Sequence, residues 1–140
     1  MIKDLYNTNI LKLSSDIPRL GKLDQPDSSS TVVSKLCGSK ITVYLNMDND
    51  VVSDFTHEIK ACSLGKAASS VMARNIIGSD SKELLEIKKA MYNMLKKDGA
   101  PPSGKWDDLK YFEPVKGFKG RHASVLLVFD AVENCINDLK

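Results

Sequence analysis

The chain has 140 residues, 42% of them hydrophobic, a size and composition suited to one domain that buries roughly two-thirds of its unfolded surface. Its 20 basic and 18 acidic residues are interspersed and leave a formal charge of +2, so no extended positive field argues for nucleic acid or an anionic membrane as partner. No apolar run reaches the length of a signal h-region or a membrane span, and three cysteines are an odd number too sparse for a disulfide framework, so residues 1–140 are expected to form a single soluble, cytoplasmic domain with reduced thiols.

Residues 2–13 place Ile2, Leu5, Tyr6, Ile10, Leu11 and Leu13 in a helical pattern that ends before Pro18. Residues 19–30 hold Gly21, Asp24, Pro26, Asp27 and three serines, a composition that favours local turns and predicts a surface connector. From Thr31 the period changes to two. Val32 and Val33 open an extended stretch, and Ile41, Val43, Leu45 and Met47 alternate with Thr42, Tyr44 and Asn46. A second alternation is expected to put Val51, Phe55 and Ile59 on one face, and Asp48-Asn49-Asp50 between the two runs predicts a tight antiparallel hairpin.

After Ala61 the period is helical again, with Leu64, Ala67, Ala68, Val71, Met72 and Ile76 on one stripe and Gly78 as the expected C-terminal cap. Asp80 and Glu83 open a third helix with the stripe Leu84, Ile87, Met91 and Leu95, closed by Lys96 and Lys97 before Gly99. Residues 100–120 are expected to form a loop with a short helical piece. Val125, Val128, Phe129, Val132, Ile136 and Leu139 predict a last helix.

The hairpin brings chemistry together. With the turn centred near Asn49, residues whose numbers sum to about 98 pair, so Cys37 at the far end faces roughly residue 61 and lies near Cys62. Gly38 after Cys37 permits a sharp turn or a close backbone approach. Cys62 precedes a helix, where unpaired N–H groups and the helix dipole favour thiolate, the form that binds metal or accepts sulfur. A lone free cysteine is more often an inert small hydrophobe, and the convergence of two is what raises the functional reading. Cys135, between Val132 and Ile136 on an apolar stripe, belongs to the core. His122 could ligate a metal, cap the last helix or be exposed; His57 reads as a packed or surface residue. Lys116, Lys119 and Arg121 form a small basic cluster whose default reading is a solvated loop. No nucleophile elbow, phosphate-binding glycine loop or zinc-protease helix is present.

These residues resemble the IscU/SufU/NifU N-terminal family of iron-sulfur cluster assembly scaffolds. The likeness spans nearly the whole chain: Ile17-Pro18-Arg19-Leu20-Gly21 after the first helix, Cys37-Gly38 before the hairpin, Ala61-Cys62-Ser63 before a helix with Ala67-Ala68-Ser69-Ser70, and Phe118-Lys119-Gly120-Arg121 before the last helix. The segment from Lys97 to Gly120 is similar to the insertion that marks SufU-like members. The resemblance implies an α+β fold, a three-stranded mainly antiparallel sheet with helices packed on one side. It also implies a site of three cysteines and an aspartate that holds zinc, accepts persulfide sulfur from a cysteine desulfurase, or carries a transient iron-sulfur cluster for acceptor proteins. Cys37 and Cys62 match the first two family cysteines, with Cys62 as the persulfide acceptor. Ser39 stands at the aspartate position, Ser124 at the third cysteine, Ala123 at the histidine of IscU, and His122 is one residue off as a candidate third donor. Serine hydroxyls are poor ligands for a thiolate-preferring metal. The resemblance therefore implies either a cluster assembly protein using Cys37 and Cys62, or a metal-free relative that binds and regulates a cysteine desulfurase.

Overall fold

The computed structural model describes residues 5–35 and 38–140. Helix α1 covers Thr8–Ser15 and is capped by Asn7, whose side chain accepts from the Ile10 amide at 3.0 Å. The predicted stretch begins at residue 2, but Leu5 and Tyr6 form a turn before the cap and residues 1–4 lie outside the described chain.

Three strands follow: β1 (Ser28–Val33), β2 (Lys40–Asp48) and β3 (Val51–Lys60), antiparallel and in sheet order β1-β2-β3. Strand β1 starts within the serine run that composition assigns to a connector. Ladder pairing of Ser28 with Leu45 overrides local turn preference, and the strand entry is clamped by side chains: the Asp27 amide donates to Asn46 Oδ1 at 2.7 Å, and the Met47 amide donates to Asp27 Oδ2 at 3.0 Å. The β2–β3 hairpin turns on Asn49 and Asp50, both left-handed with φ of 52° and 64°, the geometry of a two-residue type I′ turn. A register shift at Asn46/Met47 gives β3 one extra residue, Ser53, so the inward side chains are Val52, Phe55 and His57, while Val51 is 38% exposed. The expectation that Val51 and Phe55 share a face is corrected by that bulge, because one inserted residue reverses the parity of a strand.

On β2 the sides are cleanly sorted. Ile41, Val43 and Leu45 are fully buried, whereas Thr42, Tyr44 and Asn46 keep partial access to solvent. The outer face is polar: the Thr31 and Thr42 hydroxyls meet at 2.8 Å and Tyr44 Oη donates to Glu58 at 2.6 Å. All helical layers therefore stack on the inner side. Helix α2 (Ser63–Asn75) packs on β3, and α3 (Ser81–Lys97) begins at Asp80, whose carboxylate accepts from the Glu83 amide at 2.8 Å. A 3-10 segment spans Gly104–Gly117 and a short 3-10 turn Lys119–Arg121, where a loop with a small helical piece was expected. Helix α4 (His122–Asp138) is apolar on most of its circumference because it packs against β1, β2, α2 and α3 at once.

Candidate functional site

Cys62 is the N-cap residue of α2, with extended backbone (φ −69°, ψ 173°) and its carbonyl accepting from the Lys66 amide at 3.0 Å. Its side chain makes no capping bond, and the thiol is a free, half-buried group packed at the margin of the core. The hairpin leads directly to it. Lys40 pairs with Lys60, a sum of 100 in place of the expected 98 or so, because the turn sits at Asn49-Asp50 and the bulge adds a residue. Ser39, next before Lys40, is thereby set at the end of the ladder beside the chain that enters Cys62.

The turn from β1 to β2 is closed by two backbone bonds, from the Ser34 amide to the Ser39 carbonyl and from the Gly38 amide to the Ser34 carbonyl, both 2.8 Å. Gly38 has φ of +71°, the conformation its identity anticipates. Cys37 lies outside the described residues.

The third wall is α4. A Cβ on Gly65 would meet the Ala61 Cβ at 2.8 Å and the Ser124 carbonyl oxygen at 3.3 Å, so the missing side chain lets the first turns of α2 and α4 touch. Ser124 is thus held against the start of α2, within a few residues of Cys62. Ser39 and Ser124 are 3% and 1% exposed, and neither is without a partner. The structure therefore sets Ser39 at the end of the β2–β3 ladder, next to the chain that runs into Cys62, and Ser124 at the contact between α2 and α4.

It does not bring His122 there. Two residues along a helix rotate the side chain by about 200°, so His122 faces away from the side that Ser124 presents to α2. His122 is buried, and Nε2 donates to the Val115 carbonyl at 3.0 Å and lies 3.2 Å from that of Lys116. His57 is also buried. Its Nδ1 accepts from Ser69 Oγ at 2.5 Å and its Nε2 donates to the Pro18 carbonyl at 2.9 Å. Cys135 is in the core as expected, with Sγ 3.7 Å from the Val43 carbonyl oxygen, and burial pushes its thiol up to about 11.

The donors among the described residues do not make up a resident metal site. Among the described residues no group of three or more His, Cys, Asp or Glu converges. A structural zinc site takes four N or S donors, and Ser39 and Ser124 offer hydroxyls where the resemblance puts a carboxylate and a thiolate. What the arrangement supplies is an accessible sulfur at a helix start. Sequence reasoning found Cys62 but missed Gly65, whose signal was a glycine inside the small-residue helix, a place where glycine costs helix stability unless a close approach requires it.

Comparison with known proteins agrees with this fold. Residues 5–105 match the family described as the NifU-like N terminal domain. The iron-sulfur cluster assembly scaffold protein IscU of Thermotoga maritima is 23% identical over 139 residues, covering 99% of this chain and 97% of that one. The zinc-dependent sulfurtransferase SufU of Bacillus subtilis is 28% identical over 97 residues, 69% of this chain and 66% of its own. The crystal structure of a nitrogen-fixing NifU-like protein (N-terminal) from Brucella abortus superimposes with a TM-score of 0.97 at 55% identity, covering 99% of this chain and 96% of that one.

Proposed function

The chain belongs to the NifU-like N-terminal domain family, and on that premise we propose that it serves iron-sulfur cluster assembly by accepting sulfur at Cys62, with Cys37 as companion thiol. The observation that carries this reading is a free, half-buried Cys62 at the N-terminus of α2. The step is a thiol exchange. The Cys62 thiolate attacks the terminal sulfur of a persulfide on a cysteine desulfurase, a new S–S bond forms at Cys62, the donor's S–S bond breaks, and the donor cysteine leaves as thiolate. The family's zinc and its transient cluster are not assigned to this chain's own donors, since hydroxyls replace two ligands; iron-sulfur acceptor proteins remain the downstream recipients of the sulfur. This chemistry needs a reducing compartment, and the cytoplasm is the one proposed for it.

A second reading is favoured by the buried serines: a metal-free relative that binds a desulfurase and alters its turnover without taking sulfur. One experiment separates the two. The reduced protein is incubated with a cysteine desulfurase and L-cysteine, alkylated, and mapped by mass spectrometry, with zinc and iron measured on anaerobically purified protein. One added sulfur at Cys62, absent from a normally folded Cys62→Ser variant, is the expected result. No sulfur on the wild type together with changed desulfurase turnover would select the second reading, and stoichiometric zinc or iron in the purified protein would overturn the metal-free assignment of the donors.

A further inference from the structure

A groove lies on the other side of the first turn of α4. The last turn of α3, the end of the 3-10 segment and the start of α4 enclose two adjoining hollows that share Lys96, Lys119 and His122. One runs along α4 to Val33 and Ser34 at the end of β1, and the other reaches Leu95 and Lys116. Its charge is one-sided. Lys116 is held by Asp98 at 2.6 Å, whereas Lys96 and Lys119, both exposed, make no ion pair among the described residues. Asp130, the carboxylate in the lining, is already engaged by Lys88 Nζ at 3.2 Å and by Tyr92 Oη at 2.9 Å. His122 contributes a wall and no free Nε2, because that atom is spent on backbone carbonyls.

Apart from Ser34 and Tyr92 the rest of the lining is apolar, including Val33, which is 54% exposed. The groove also adjoins the β1–β2 turn that leads to Ser39. Ser34 is bonded to Ser39 and Gly38 on either side of the β1–β2 turn, and Ala123 in the lining directly precedes Ser124.

We propose that this groove docks an acidic, amphipathic segment of the protein that delivers sulfur to Cys62, an inference that rests on the sulfur-accepting reading above. Unpaired lysines want carboxylates, and the exposed Val33 and Ala123 offer apolar contact to a side chain. No arginine lines either hollow, and the lysines come from separate elements, so the fork that suits a compact phosphate is missing. Seated there, the segment places its parent protein over the first turn of α4, beside the β1–β2 turn.

The test uses Lys96→Glu/Lys119→Glu, two exposed residues away from Cys62. A fluorescent peptide of alternating Glu and Leu is titrated into wild type and variant at low and high salt, beside the same peptide with Gln for Glu. In parallel, sulfur loading of Cys62 is followed from a desulfurase and from a small-molecule polysulfide. Expected are wild-type binding of the Glu peptide that salt weakens, a loss of about tenfold or more in the variant, and slower loading from the enzyme with unchanged loading from polysulfide. Equal peptide binding by wild type and variant, or displacement of the peptide by inorganic phosphate at matched ionic strength, would overturn the groove assignment. A wild type that binds the peptide in a Lys-dependent way but takes sulfur from neither source would uphold the groove as an acidic-segment site and overturn the sulfur-accepting reading on its own.

Discussion

Two free cysteines of the same chain are set to behave as different chemical species because their surroundings differ. Cys135 lies on the buried face of α4 with its thiol pushed up to about 11 by burial, so its thiolate fraction at pH 8 is only about one in a thousand, while Cys62 stands half-buried at a helix start. Iodoacetamide at pH 8 should label Cys62 in the native protein and reach Cys135 only after denaturant is added, as peptide mass spectrometry would read directly; native labelling of Cys135 would contradict its place in the core. Gly65 is the second residue-scale test. Alanine there gains about 1 kcal/mol of helix propensity but meets the Ala61 Cβ at 2.8 Å and the Ser124 carbonyl at 3.3 Å, contacts anchored to backbone, for which overpacking costs about 1–3 kcal/mol. The net expectation for Gly65→Ala is a loss of about 1 kcal/mol and a lower melting temperature, and an unchanged melting temperature would mean that α2 and α4 are not pressed together at this point. Cys62 was legible from sequence because a helix start is a local property. The facing of His122 was not, because each residue of uncertainty in where α4 begins turns the side chain by about 100°.

Among the elements, the hairpin was legible in type and turn, and its parity was lost to a single bulge that no alternation rule contains. The 3-10 segment was hidden for a different reason. Its buried side chains, Trp106, Leu109, Phe112 and Val115, recur every three residues, the period of a 3-10 helix, and tests for periods of 2 and 3.6 read them as mixed. The segment is tied to α3 by Glu83, whose carboxylate accepts from Trp106 Nε1 at 2.8 Å, Lys105 Nζ at 3.0 Å and Ser79 Oγ at 3.0 Å. Partial burial pushes the Glu83 carboxyl upward, but the hydrogen bonds from Lys105, Trp106 and Ser79 outweigh it and hold the group below the usual carboxylate range. A carboxyl depressed in the fold contributes stability that is present above its unfolded value, near 4.5, and is lost as pH falls through the lower folded value. Glu83→Gln should cost about 1 kcal/mol at pH 7, discounted because the side chain is 37% exposed, and the difference from wild type should shrink in urea melts taken at successively lower pH. A difference that stays constant down to the acid limit would mean that charge at Glu83 does not anchor the segment.

At the scale of the whole molecule, the sheet, the helical layer and the N-terminal connection are joined at His57. Its backbone amide donates to the Arg19 carbonyl at 3.1 Å and its carbonyl accepts from the Gly21 amide at 2.9 Å, which covers the outer edge of β3 with a parallel bridge from Leu20. Its ring reaches α2 through Ser69 and the connection after α1 through Pro18, and these partners together fix the neutral tautomer with the proton on Nε2. Burial pushes the imidazole below its ordinary value of 6.5, with the bond to the Pro18 carbonyl opposing in part. A histidine depressed in the fold stays neutral while the unfolded chain takes up a proton, so stability is full above about 6.5 and declines as pH falls from there toward the folded value, by at most about 1.4 kcal/mol per pH unit. Denaturant melts between pH 7.5 and 5.5 should show that decline in the wild type. His57→Gln should start roughly 1–3 kcal/mol less stable at pH 7.5, because the bonds to Ser69 and Pro18 are lost or strained, and should follow a shallower slope. If the two slopes coincide, the proton that the unfolded chain gains in this range is not the one His57 refuses in the fold, and the three elements meet at a residue that is packed but electrostatically silent.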